Sequence, residues 1–129
     1  MTAIEHHTDC DSLDGSRNYH VGDCHQLAAV ISRATGWDFA IFDGAGAHVT
    51  VITPDGQYLD ITGPRTAEDI RAQWHADKPQ ITDSIWAEGW DTNPCVCDWR
   101  TARDVLDHAG LLTDDISEAI AWEIDKLTD

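Results

Sequence analysis

Pro54-Asp55-Gly56 separates two strand-like runs, 48–53, rich in β-branched residues, and 57–62, and this short insert limits the fold more than any other feature of the chain. Proline presets φ for the second position of a type I turn, and glycine suits the left-handed position that follows. A three-residue loop of this kind pairs Thr53 with Gln57, Thr50 with Asp60 and His48 with Thr62. Side chains alternate across a strand, so His48, Thr50 and Asp60 share one face. His48 and Asp60 become diagonal neighbours, within reach of each other. A two-residue loop would shift the register by one and put them on opposite faces.

Around this hairpin the sequence predicts an α+β domain. Leu27, Val30, Ile31 and Ala34 recur at helical spacing, which predicts a helix over about 23–35 with Asp23 as N-cap and Gly36 as its stop. A strand over 37–42 follows. Thr66 with Asp69 three residues on predicts a capped helix over about 66–75 that buries Ile70 and Trp74. A strand is expected within 80–86 and a loop over 89–97. Helices over about 98–109 and 114–127 finish the chain, the first turning Trp99, Ala102, Val105 and Leu106 inward, the second Ile116, Ile120 and Ile124. The expected architecture is an N-terminal helix packed on a small antiparallel sheet, with C-terminal helices. Residues 1–17 read as a polar, flexible arm and 18–129 as one domain.

Charge narrows the choice of partners. Asp plus Glu number 24 against 8 Lys plus Arg, a formal net charge of −16. Such a surface repels phosphate backbones and anionic membranes, so neither nucleic acid nor membrane is an expected partner. The plainest reading of the charge is solubility. No apolar run is long enough to span a bilayer, and Met1 to His7 is neither basic nor apolar, which suggests a cytoplasmic protein. In that compartment the four cysteines, Cys10, Cys24, Cys95 and Cys97, are expected as thiols. Cys95 and Cys97 form a C-x-C, which with Cys10 and His6, His7 or His20 could hold zinc, though the spacing matches no strong finger pattern.

Three residues suggest chemistry. Cys24 opens a helix, where unpaired backbone N–H groups and the positive dipole end favour a thiolate and could also donate to an oxyanion. His48 follows Gly44-Ala45-Gly46, whose small residues would leave room for a substrate. Asp60 lies mid-strand, where aspartate is disfavoured and needs a reason to be present. Each residue alone has a blander reading: a buried cysteine as a small hydrophobe, a strand histidine satisfied by its neighbours, an aspartate near solvent. His25 reads as a helix-surface residue, because consecutive helical side chains diverge. Most tryptophans read as core, with Trp90 and Trp99 the candidates for a groove wall.

The order of the three supports more than the bland readings. Gly22-Asp23-Cys24-His25-Gln26-Leu27-Ala28, Ala47-His48-Val49-Thr50-Val51 and Gly56-Gln57-Tyr58-Leu59-Asp60-Ile61-Thr62-Gly63 follow one another as a helix opened by cysteine, a strand begun by histidine and a strand carrying aspartate. This resembles the papain-like cysteine hydrolase clan, in its transglutaminase-like and arylamine N-acetyltransferase-like branches, over about residues 18–63. The resemblance implies a papain-like core with Cys24 as nucleophile, His48 as general base and Asp60 as its orienter. Asn18, six residues before Cys24, would be a further oxyanion donor. The implied activity is that of a hydrolase or acyl transferase on an amide, ester or thioester (a peptidase, deamidase or transglutaminase-like enzyme). Its substrate would be a peptide, protein or small acyl compound, and it would need no cofactor. Two other classes stand beside it: an inactive papain-like acidic binding module or inhibitor of a basic partner, and a zinc-stabilised structural protein.

Overall fold

A computed structural model of the protein describes residues 24–44, 47–82, 94 and 96–128. Among them the elements run in the order α1 (Cys24–Thr35), β1 (Phe39–Asp43), β2 (Ala47–Ile52), β3 (Tyr58–Asp60), β4 (Gly63–Arg65), α2 (Ala67–Trp74), β5 (Gln80–Thr82), α3 (Val96–His108) and α4 (Asp114–Thr128). The strands form one antiparallel sheet in the order β4-β3-β2-β1-β5. The chain is therefore α+β.

Strand alternation divides the interior in two. Phe39 and Ile41 of β1, Val49 and Val51 of β2 and Leu59 of β3 face one side, where they pack with Leu27, Val30 and Ile31 of α1, Trp99, Ala102 and Leu106 of α3 and Ile120 of α4. Ala40 and Phe42 face the other side and meet Ile70 of α2 and Ala76, with Tyr58 and Trp74 at the margin. Trp99 is fully buried in the larger cluster, so it is a core residue rather than a groove wall. Trp90 lies outside the described residues.

The turn behaves as its residues dictate. Gly56 N–H donates to Thr53 O at 2.9 Å, Thr53 N–H donates to Gln57 O at 2.9 Å, and Gly56 takes φ +82°. Val51 then opposes Leu59 and Ile52 opposes Tyr58, the register expected of the three-residue loop. β4 was not anticipated from the sequence. Pro64 argues against a strand interior, but β4 lies at the sheet edge, where a proline's missing N–H is tolerated.

At α2 the Thr66 side chain accepts from Asp69 N–H at 3.2 Å, as the capping pattern requires. The helix stops at Trp74, and His75 takes the left-handed conformation at φ 53° while Ala76 N–H donates to Arg71 O at 2.9 Å. This end is pressed against Gly44 beyond β1. A Cβ on Gly44 would lie 2.4 Å from Trp74 O and 2.8 Å from His75 O. The space expected to admit a substrate beside Gly44 is therefore filled by the chain's own backbone. Ala45 and Gly46, the 1–17 arm, Asp23 and most of the 83–95 segment lie outside the described residues.

Candidate active site

The hairpin brings His48 and Asp60 to the face of the sheet that α2 covers. His48 Nε2 and Asp60 Oδ2 are 2.7 Å apart. Asp60 sits at the end of β3, after which the chain turns back through 61–62 into β4. Its other oxygen, Oδ1, accepts from Thr62 N–H at 2.9 Å and Thr62 Oγ1 at 2.5 Å. The same turn brings Arg65 of β4 back onto Asp60, where its guanidinium also donates to Oδ2. A second Arg65 nitrogen donates to Gln73 Oε1 on α2.

Cys24 arrives from the other layer. β3 pairs with β2 only at Val51 and Ile52, so β2 loses that neighbour towards its start. The first residue of α1 occupies the place. Val49 N–H donates to Cys24 Sγ at 3.4 Å, and the thiol points to Ala47 O at 3.9 Å. The sulfur thus lies against the backbone on either side of His48.

Trp74 closes the opposite side. Its indole stacks on the imidazole with ring centroids 4.7 Å apart and planes 13° from parallel. The result is a buried cluster in which Cys24, His48 and Asp60 are 4%, 2% and 3% exposed. His48 Nδ1, Arg65 Nε and Trp74 Nε1 are buried with no hydrogen-bond partner among the described residues.

The electrostatics follow from this packing. Burial disfavours a charged imidazole, but the hydrogen bond to Asp60 and the Cys24 thiol beside the ring overcome it and raise His48 from 6.5 to about 9. For Asp60, burial opposes ionisation, and the bonds from His48, Thr62 and Arg65 outweigh it, holding the carboxyl well below the usual range. At neutral pH the site therefore contains an imidazolium against a carboxylate. A proton on His48 is available for delivery to a leaving group.

The remaining candidate residues are distributed differently. Cys97 is buried in the first turn of α3. Cys10, Cys95, Asn18, His6, His7 and His20 lie outside the described residues. Among the described residues no group of three or more His, Cys, Asp or Glu could hold a metal ion, and no helix is long and apolar enough to cross a membrane. A cavity of about 370 Å³ opens between the 61–63 turn and α3, lined by Thr62, Asp104 and His108 among others. It touches neither Cys24 nor His48, though Thr62 is the residue that holds Asp60 Oδ1.

Sequence reasoning missed Arg65 and Thr62. The signal was present: Thr62-Gly63 after an alternating run marks a second reversal, and a two-residue reversal returns position 65 to the face of position 60. Compared with known protein families, with curated proteins and with solved structures, the chain matches none.

Proposed function

We propose that this protein is a cysteine hydrolase or acyl transferase with a papain-like, transglutaminase-like core, in which Cys24 is the nucleophile, His48 the proton carrier and Asp60 its orienter. The observation that carries the reading is the convergence on one imidazole: Asp60 Oδ2 on Nε2 at 2.7 Å, and the Cys24 sulfur lodged against the backbone of Ala47 and Val49 on either side of it.

The reaction follows from the roles. Cys24 reacts as the thiolate paired with the His48 imidazolium: its sulfur forms a C–S bond to the acyl carbon while the carbonyl π pair moves to oxygen. Collapse breaks the bond to the leaving amine, alcohol or thiol, which takes its proton from His48. Water or an amine then attacks the thioester, giving its proton to His48, and the sulfur departs as the thiolate that restores the pair. Asp60 keeps the imidazole oriented throughout and opposes its charge, without itself being protonated.

Brief iodoacetamide treatment at neutral pH with mass mapping tests the nucleophile. Cys24 is expected to label faster than Cys10, Cys95 and Cys97, and H48Q to abolish that preference. Equal labelling of all four cysteines would overturn the reading. The mass of any adduct trapped on Cys24 after exposure to cell extract would name the acyl group.

One observation favours a second reading. The three residues are almost wholly buried, as in a site retained for its fold rather than for turnover. An inactive acidic module that occupies a basic partner fits that closure and the net charge of −16. Full biological activity in both C24A and D60N would select it.

A further inference from the structure

Asp60 Oδ2 accepts from two cations at once, His48 and Arg65, while Oδ1 is filled by Thr62. The carboxylate has no acceptor position left, and it cannot approach one cation more closely without loosening the other. Arg65 is itself held on the far side by Gln73, so its fork is spread between β3 and α2. We propose that Arg65 is a fourth member of the site, a positioning residue that fixes the Asp60 carboxylate and limits its pull on the His48 proton.

This deepens the cysteine-hydrolase reading and rests on it for its catalytic meaning. The charge count shows why such a residue matters. With Arg65 present, the buried group is neutral overall whether the proton sits on Cys24 or on His48. Without it, both arrangements carry one uncompensated negative charge. An isolated Asp60 carboxylate would then hold the imidazolium more firmly, and a proton held firmly is given up slowly to a leaving group. The groups facing His48 are Cys24 from α1, Asp60 from β3 and the uncharged Trp74 from α2, with Arg65 reaching it through Asp60. Arg65 is thus the positive charge, among these groups, that offsets the carboxylate.

The test is an NMR titration of the His48 ring in wild type, R65Q and R65K, with thermal melting measured alongside. Removing the guanidinium charge should move the His48 midpoint upward by about one pH unit in R65Q. In R65K the shorter side chain keeps a charge near Asp60 without the fork, and the midpoint should be intermediate. A purely structural role would lower the melting temperature and leave the His48 midpoint unchanged, and that result overturns the proposal. If R65Q does not fold, R65K alone must show the intermediate upward displacement, and a midpoint equal to wild type overturns the proposal. Iodoacetamide labelling of wild-type Cys24 reports separately on the hydrolase reading. Loss of that reading would therefore appear in the labelling, while the His48 titration still decides what Arg65 does.

Discussion

His48 and Asp60 meet at 2.7 Å just past the point where the β2–β3 ladder gives out. The pairing recorded between those strands stops at Val51 and Leu59, and the next position, Thr50 opposite Asp60, is where β3 bends into its second reversal. The side-chain contact continues an association that the backbone has begun to abandon.

Asp60→Asn should therefore cost stability as well as reactivity. Asn keeps the size of the side chain but meets Arg65 and the His48 imidazolium without a charge. Removing one member of a buried, hydrogen-bonded charge group costs about 3 kcal/mol, and Cys24 labelling should also slow. Urea unfolding and labelling rates on the same preparation check both. The Arg65 and Thr62 contacts are what add the stability cost.

The pH dependence of stability has a definite sign. His48 is raised from 6.5 to about 9 in the folded state, so the folded protein binds more protons than the unfolded chain between those values. Its stabilisation is complete below about pH 6.5 and is lost as pH rises through about 9, by up to about 3 kcal/mol. Asp60 acts oppositely: its carboxyl is depressed, so its contribution is present above the ordinary carboxylate range and lost as pH falls below it. Urea unfolding across pH should show a plateau from about pH 4 to 6.5 with declines on both sides. H48Q should flatten the alkaline decline.

Gly44→Ala and Gly36→Ala separate crowding from backbone strain. Gly36 is left-handed at φ +81° with open space where a Cβ would go, so alanine there should cost about 1 kcal/mol. At Gly44 the new methyl would strike the backbone of Trp74 and His75. That cost should be at least about 2 kcal/mol, and it should lift Trp74 off His48, changing the tryptophan emission.

Cys24→Ser and Cys24→Ala should also differ. Serine can still accept from Val49 N–H, whereas alanine leaves that buried donor without its partner. C24S should be the more stable of the two by about 1 kcal/mol in urea unfolding, while neither labels at position 24.

How far the fold was legible depends on whether local chemistry decided each element. Thr66, Asp69 and Gly56 are read correctly from sequence because their roles are fulfilled within a few residues. The His48–Asp60 contact was legible because one turn fixes a register and the register fixes two faces. Arg65 was obscured by Pro64, whose tolerance depends on β4 being an edge strand, and sheet order is a long-range outcome. The filling of the space beside Gly44 was obscured for the same reason: glycine signals close approach without saying what approaches. Trp74 was expected to be buried, but its partner, the imidazole of His48, could not be foreseen from helix periodicity.

Cys24 belongs to the larger apolar cluster, and His48 lies on the side of the sheet served by the smaller one. Sulfur and imidazole are thus mounted on separate supports that meet only where β2 has lost its neighbour. Their alignment is a differential quantity, sensitive to any relative slip of the two layers even when each layer stays internally intact. Warming should erode the reactivity of Cys24 well before circular dichroism registers a loss of helix or strand, so the thiol serves as an internal gauge of how firmly the two halves of the molecule are seated.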